Sequence, residues 1–136
     1  MSFVCRDVHS GVVLDMIEGD VRVGSVHFDR FSSKELNLFS RRGPFERQVA
    51  SLLQTLDLPL AYVYMLAIEP THRGSHRGLQ LLTQCRDEAR RRWPDILVYA
   101  LCEPFLVAYW EQMGAVFTGD KVRDYHLFSL GQAPGN

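Results

Sequence analysis

The amino-acid sequence predicts a mixed α/β fold in which strands alternate with amphipathic helices. Residues 12–17 and 21–28 are rich in β-branched side chains and flank a glycine-containing turn, the pattern of an antiparallel hairpin. Residues 61–68 and 96–101 are apolar almost throughout, as expected for strands that are covered on both faces. Helical periodicity lies before, between and after these two apolar strands.

The hairpin is followed by helical segments. Gly24 marks a candidate bulge in its second strand. Residues 31–38 are ambiguous, although Ser32 suits the N-cap of a short helix. A stronger helix is predicted over residues 45–56, where apolar side chains recur at i, i+4, i+7, i+8 and i+11. Pro44 suits the first turn of that helix.

The C-terminal half adds two helices and a second hairpin. The first helix carries an apolar face of leucine, cysteine and alanine, and a following proline limits it at Trp93. The second helix covers residues 105–113, and Gly114 suits the C′ position that closes it. Residues 115–117 and 125–128 are predicted as strands around a turn at residues 119–120. The resulting order, ββααβαβαββ, is that of one α/β layer structure.

Composition places the chain among ordinary soluble proteins. Its 136 residues are 46% hydrophobic and 23% charged, which predicts a single domain over residues 1–136 with a flexible tail at 131–136. A net charge of −1 argues against nucleic acid or a membrane surface as a partner. No stretch approaches the 18 apolar residues of a membrane span.

Cysteine usage indicates a reducing compartment. Cys5, Cys85 and Cys102 are odd in number, and none belongs to a CxxC pair. Neither a disulfide framework nor a zinc site has the spacing that it needs. We therefore expect a cytoplasmic protein without a bound metal.

The segment at residues 72–78 carries the chemistry. It follows a buried strand and opens a helix, so free backbone N–H groups and the positive end of the helix dipole converge there on an anion. Gly74 and Gly78 allow the backbone to approach phosphate oxygens, and Arg73 and Arg77 add cationic donors. The Walker pattern and the dinucleotide fingerprint are both absent.

The same segment resembles a known loop. Arg73-x-x-His76-x-Gly78, shortly after Pro70, is similar to the pyrophosphate-binding pattern Gln/Arg-x-x-Gly-x-Gly/Ala of the GNAT N-acetyltransferases. His76 stands where that family usually has glycine. A second block, residues 109–117, looks like the family's Tyr-Glu-Lys-Leu-Gly-Phe helix end. The resemblance covers residues 61–128, with the two blocks in the family's order.

The resemblance implies a fold and a reaction. The fold is a GNAT-like mixed central sheet with splayed central strands and helices on both faces. The reaction moves an acetyl group from acetyl-CoA, a co-substrate, to a primary amine of a small molecule or a protein. Carried over to this chain, the residues expected to bind the cofactor's pantetheine arm are Leu66, Ala67 and Ile68. Those expected to hold its pyrophosphate are Arg73, Gly74, Ser75, His76, Arg77, Gly78 and Leu79.

Catalytic residues follow less directly from the resemblance. An attacking amine must be neutral, and its ordinary pKa of about 10.4 requires a base or a desolvating pocket. Glu69 and Glu103 lie at the ends of the two central strands, and either carboxylate can relay a proton through water. Trp110, assigned to the cofactor site, stands where many family members have a tyrosine that acts as general acid. Tyr109, one residue away, is the nearest candidate proton donor.

Two other readings of the same residues stay open. The chain is a CoA-binding sensor without catalysis, or an interaction module that dimerises through its last strands. The family also places two helices between its first and second strands, whereas here helical residues 32–57 directly precede the central strand. We expect the helix at 45–56 to form one wall of an acceptor site that is open or completed in a homodimer.

Overall fold

A seven-stranded mixed sheet forms the centre of the structure, a computed structural model that describes residues 1–9, 11–74 and 76–130. The strands are β1 (Ser2–Val8), β2 (Gly11–Glu18), β3 (Val21–Phe31), β4 (Leu60–Ile68), β5 (Val98–Cys102), β6 (Val116–Val122) and β7 (Tyr125–Ser129). Their order across the sheet is β1-β2-β3-β4-β5-β7-β6. The helices are α1 (Ser33–Ser40), α2 (Pro44–Leu53), α3 (Arg77–Arg92) and α4 (Val107–Gln112). None of these described helices is long and apolar enough to cross a membrane.

The N-terminal part of the sheet has three antiparallel strands, one more than the sequence pattern indicates. Strand β1 pairs antiparallel with β2 along its whole length, from Ser2 opposite Ile17 to Val8 opposite Gly11. The prediction of a two-stranded hairpin was therefore incomplete. Strand β1 lies at the edge of the sheet and its side chains are at most half-buried, so it lacks the apolar run that identifies a central strand.

The ambiguous segment after β3 forms helix α1. The Ser32 N–H donates a hydrogen bond to Glu35 Oε1 at 3.2 Å, and the Ser32 hydroxyl donates to the same oxygen at 2.7 Å. These bonds fix the start of the helix at the serine that the sequence pointed to. Helix α2 begins at Pro44 as predicted, but it ends at Leu53, and residues 54–56 continue as turns.

Helices cover both faces of the sheet, which confirms that prediction. On one face α3 and α4 pack against the sheet through side chains that include Leu82, Cys85 and Trp110. On the other face α1 and α2 pack through a second apolar cluster that includes Leu36 and Val49. The two clusters lie on opposite sides of the sheet because successive residues of a strand point to opposite faces.

Strands β4 and β5 separate soon after they meet. They pair in parallel only at Ala61 with Val98 and at Tyr62 with Tyr99. The splayed central strands are thus confirmed. The prediction that β4 is covered on both faces holds for its first four residues and is wrong for the rest, where Met65 is 41% exposed. An apolar sequence does not distinguish a strand in a closed core from one that lines a gap.

The last hairpin has a different turn from the predicted one. Strand β6 runs through Gly119 to Val122, and the turn to β7 falls at residues 123–124. Gly119 has φ of +89° and lies inside a register shift between the two strands, so it is an irregularity of β6. Gly114, with φ of +94° directly after α4, adopts the predicted C′ conformation.

Candidate functional site

A cavity of about 420 Å³ occupies the gap between β4 and β5. We call it the gap cavity. Its lining side chains come from both apolar clusters, so it passes from one face of the sheet to the other. The residues that line it are Phe45, Tyr62, Val63, Tyr64, Met65, Leu66, Leu82, Ala100, Leu101, Cys102, Glu103, Leu106, Trp110, Tyr125 and Phe128.

The edge of β4 that faces the gap presents backbone groups that are not hydrogen-bonded to β3. The Glu69 N–H donates to the carbonyl of Val23 on β3 at 2.9 Å. Hydrogen-bonded and non-bonded residue pairs alternate along an antiparallel ladder, so Ala67 also bonds to β3, and Leu66 and Ile68 turn their N–H and C=O groups away from it. They turn toward the side that β5 has left.

A β-bulge marks where β4 changes partners. His27 pairs with Met65 and Phe28 pairs with Val63, which leaves Tyr64 as the extra residue. Bulges bend a strand and increase its twist. The bulge therefore coincides with the divergence of β4 from β5 and with the beginning of the exposed half of the strand.

The glycine loop leads from this edge into α3. His76 is the N-cap residue and has a left-handed backbone, with φ of 56° and ψ of 25°. No side-chain cap bonds the first turn of α3 within the described residues, so its N–H groups face outward. Beside them lies a second cavity of about 220 Å³, the loop cavity, lined by Ile68, Arg73, Gly74, His76, Arg77, Gly78, Leu106 and Tyr109. Leu106 lines both cavities, so they adjoin each other.

The two loop arginines have different partners. The Arg73 Nε donates to the carbonyl of Ile68 at 3.1 Å, and the rest of this exposed guanidinium stands beside the loop cavity. The Arg77 guanidinium forms a two-pronged ion pair with Glu18 at 2.5 and 3.0 Å and also donates to the carbonyl of His72 at 3.0 Å. Arg77 thereby ties the loop to the end of β2, and its hydrogen bond to Glu18 lowers the pKa of that carboxyl.

The His76 side chain reaches α4. Its Nδ1 lies 3.2 Å from the Tyr109 hydroxyl, and the two rings are nearly parallel, with centroids 6.0 Å apart. The Tyr109 hydroxyl is therefore at the loop cavity and not in the gap cavity. Trp110 is buried, stacks on Phe128 at 5.5 Å and lines the gap cavity.

The gap cavity holds one of the two candidate carboxylates. Glu103, directly after β5, lines it, whereas Glu69 lines neither of the two cavities. Cys102 also lines the gap cavity. Burial, and then the neighbouring charge of Glu103, raise the pKa of its thiol to about 11. The thiol is thus protonated near neutral pH and behaves as a small apolar group.

Most of the residues singled out in the sequence lie along the two cavities. Leu66 lines the gap cavity and Ile68 the loop cavity, while the side chain of Leu79 packs into the core. Ser75 lies outside the described residues, as does the tail at 131–136. The described residues hold no group of three or more His, Cys, Asp or Glu side chains arranged to bind one metal ion.

Three residues that form the cavities or hold the loop were not identified by any sequence motif. Glu18 is the last residue of β2, 59 residues before the arginine with which it pairs. Leu106 and Tyr125 belong to short segments at the cavity mouth and carry no motif. Phe45, the second residue of α2, lines the gap cavity, and a role of this helix as a wall of an acceptor site stays a prediction.

Comparison with known proteins gives matches at the level of structure. A polyamine N-acetyltransferase of Drosophila melanogaster superposes with a TM-score of 0.67 at 14% identity, over 88% of this chain and 74% of that one. An agmatine N-acetyltransferase gives 0.66 at 16% identity, over 87% and 75%. FeeM, an N-acyl amino acid synthase from uncultured soil microbes, gives 0.63 at 16% identity, over 91% and 68%.

Sequence comparison adds no assignment. No protein-family model matches the chain, and no curated protein matches it significantly. Among eight of these structural matches the chain spans from 66% to 75% of the length of its counterparts, with 66% for Escherichia coli ElaA.

Proposed function

We propose, starting from the GNAT fold that the chain has, that this protein transfers an acetyl group from acetyl-CoA to a primary amine. The observation that carries the proposal is the gap between β4 and β5. It exposes the backbone edge of β4 at Leu66 and Ile68 and leads directly to the open N-terminus of α3. A strand edge next to an anion site matches a ligand that is an amide-containing arm at one end and a pyrophosphate at the other.

The loop residues fit the pyrophosphate end. The first-turn N–H groups of α3 and the Arg73 guanidinium converge on the loop cavity. A Cβ on Gly74 would meet no atom within 4 Å, and one on Gly78 would meet only Trp110, at 3.9 Å. There is thus open space where the phosphate groups would lie. Since the Arg77 side chain is committed to Glu18, its contribution to the site is its backbone N–H.

The strand edge fits the arm and the reacting end. Acetyl-CoA supplies a thioester, whose carbon–sulfur bond breaks as the amine nitrogen bonds to the acetyl carbon. CoA leaves as the thiolate, which takes up a proton from water. The Leu66 N–H is placed to donate a hydrogen bond to the thioester oxygen, which gains negative charge in the transition state. Apolar side chains such as Leu82 and Phe128 keep water from this part of the gap.

We assign proton removal from the amine to Glu103. It lines the gap cavity, whereas Glu69 does not, and a single intervening water suffices for the transfer. Glu103→Gln keeps the size of the side chain and removes the base. We expect kcat/KM to fall by about 10²-fold near neutral pH and to recover as rising pH deprotonates the amine in solution. A pH–rate profile identical to that of the wild type would contradict this role, and Glu69→Gln is the matched control.

Cofactor binding is tested separately from catalysis. Acetyl-CoA at 100 times its Kd stabilises the protein by about 2.7 kcal/mol, which for a chain of this size raises Tm by roughly 10 °C. We expect Arg73→Ala and Gly78→Glu to reduce that shift strongly, and the exposed control Arg41→Ala to leave it intact. Absence of a shift in the wild type would refute the proposal. A normal shift in both loop variants would place the cofactor elsewhere.

A CoA-binding sensor is the second candidate function. One observation favours it: the hydroxyl of Tyr109 is engaged by His76 at the loop cavity, and Trp110 offers no hydroxyl at the gap cavity. A protein of this kind would show the thermal shift and release no free CoA thiol with any primary amine. Release of thiol that depends on an added amine would exclude it.

A further inference from the structure

The wall of the gap cavity on the α1 and α2 side is aromatic. The rings of Phe45, from the start of α2, and Tyr125, from the start of β7, are in edge-to-face contact. Their centroids lie 5.7 Å apart at an interplanar angle of 75°. Tyr62 and Tyr64 of β4 continue the same wall. This side lies across the sheet from α3 and α4, and so from the side where the loop cavity opens. In the proposed reaction the acceptor enters from this side of the sheet.

Charge is scarce on this wall. Of the described residues that line the gap cavity, Glu103 alone carries a full charge near neutral pH. One carboxylate can match one ammonium group. A second ammonium in the same cavity would lose its hydration without gaining a partner, which is strongly unfavourable.

Two arginines stand over the rings of the wall. The Arg42 guanidinium carbon lies 5.9 Å from the Tyr64 ring centroid, and that of Arg123 lies 5.1 Å from the Phe45 ring centroid. The Glu46 carboxylate acts on Tyr62, whereas both arginine side chains are exposed and place positive charge beside the Tyr64 and Phe45 rings of the wall. An acceptor with a second cation extending out of the cavity would meet like charge there.

From this arrangement we infer the acceptor class: a primary amine with a single ammonium group and an aromatic or bulky apolar body. The inference rests on the proposed function and concerns the same site. The ammonium is matched by Glu103, and the apolar body packs against the contacting rings of Phe45 and Tyr125. A volume of about 420 Å³ lies at the small end of ligand pockets, consistent with one ring-sized group beside the reacting thioester.

The decisive experiment compares kcat/KM for matched amines with saturating acetyl-CoA. We expect 2-phenylethylamine to exceed ethylamine, which has the same ammonium and no ring, by at least about tenfold. We expect it to exceed agmatine and spermidine, which carry additional cations, by at least as much. Equal or higher kcat/KM for agmatine or spermidine would overturn the inference.

Two variants test the residues that carry the argument. Tyr125→Ala should raise KM for 2-phenylethylamine about threefold to tenfold, by loss of one aromatic contact, and Tyr125→Phe should not. Arg42→Gln should raise kcat/KM for spermidine several-fold more than it raises kcat/KM for the singly charged 2-phenylethylamine. The adjacent exposed Arg41→Gln should change neither. If Arg42→Gln and Arg41→Gln act alike on spermidine, the electrostatic part of the inference fails.

A failure of the proposed function is distinguishable from a failure of this inference. Without an acetyl-CoA-dependent rise in Tm the function itself is wrong. If Tm rises but no amine is acetylated, saturation-transfer NMR on the CoA-saturated protein measures amine binding directly. Signal from 2-phenylethylamine that exceeds that from spermidine supports the inference, and absence of any signal from 2-phenylethylamine overturns it.

Discussion

His76 combines a demanding backbone position with a useful side chain. The left-handed conformation costs a residue with a Cβ about 1–2 kcal/mol, which is why glycine is common there. In this chain the imidazole contacts the Tyr109 hydroxyl and stacks on its ring, and so links the glycine loop to α4. The histidine at this glycine position is thus accompanied by a contact that glycine could not make, the one with Tyr109.

The backbone cost at this position can be isolated by two substitutions. His76→Ala and His76→Gly both remove the contact with Tyr109, but only the second relieves the left-handed strain. After the larger unfolded-state entropy of glycine is subtracted, we expect the Gly variant to be more stable than the Ala variant by about 0.5–1 kcal/mol. Urea unfolding of the two proteins measures the difference. A Gly variant that is less stable than the Ala variant by the full entropy difference of about 0.4–1 kcal/mol would show that the position carries no strain.

Cys102 is expected to be chemically inert. Because burial and then the charge of Glu103 raise its pKa to about 11, alkylation by iodoacetamide should be slow at pH 7.5 and accelerate as the pH approaches 11. Peptide-level mass spectrometry separates its labelling from that of Cys5. Cys102→Ala should keep its rate of amine acetylation within about twofold. Loss of activity in this variant, with acetyl-CoA binding intact, would make the thiol a participant.

At the scale of elements, α1 depends on its first turn. Ser32 donates two hydrogen bonds to the Glu35 carboxylate, and its hydroxyl is the main cause of the lowered pKa of that group. The helix is only eight residues long, too short to be stable by itself in water. Local hydrogen bonds therefore fix where the helix starts. Packing of Leu36 and Phe39 against the sheet stabilises the helix as a whole.

Removing the cap should destabilise the protein measurably. We expect Ser32→Ala to lower the free energy of unfolding by about 1 kcal/mol, and Ser33→Ala, one residue inside the helix, to have a much smaller effect. Since the pKa of Glu35 is lowered on folding, its contribution is complete above the ordinary value of 4.5 and is lost as the pH falls through the folded value. Urea unfolding of Glu35→Gln and wild type should therefore converge at low pH. A stability difference that does not change with pH would contradict the assignment.

At the scale of the whole molecule, the central feature is a sheet that opens in the middle. Strand β4 pairs with β3 along its whole length but with β5 only at its first residues. Helices on both faces hold the two halves of the sheet, so the gap does not close. This edge of β4 lies inside the gap and not at the outer edge of the sheet, where an exposed strand can pair with another chain. It therefore remains available to a ligand.

Hydrogen exchange should record this geometry residue by residue. We expect saturating acetyl-CoA to slow exchange of the Leu66 and Ile68 amides by up to about 100-fold at 100 times Kd, because these amides face the gap. The Ala67 amide, already bonded to β3, should change little. Uniform slowing across all three amides would indicate general stabilisation and not a ligand on the strand edge.

Short-range interactions made most of the secondary structure and the position of the glycine loop predictable from the sequence. Apolar runs identified β4 and β5, Ser32 and Pro44 identified helix starts, and glycine placement identified the loop before α3. Each of these signals acts within a few residues, where dihedral preferences and capping bonds decide the conformation. Strand β1 was missed because an exposed edge strand has no such signal.

The sequence by itself determined the order of the elements after the edge strand β1 and the position of the glycine loop before α3, since both are written in short-range patterns. Only the tertiary structure decided that β4 leaves β5 after two residue pairs, that Arg77 is held by Glu18, and that Glu103 reaches the gap while Glu69 does not. These features depend on contacts between segments far apart in the chain, whose geometry is set by packing of the whole sheet against its helices.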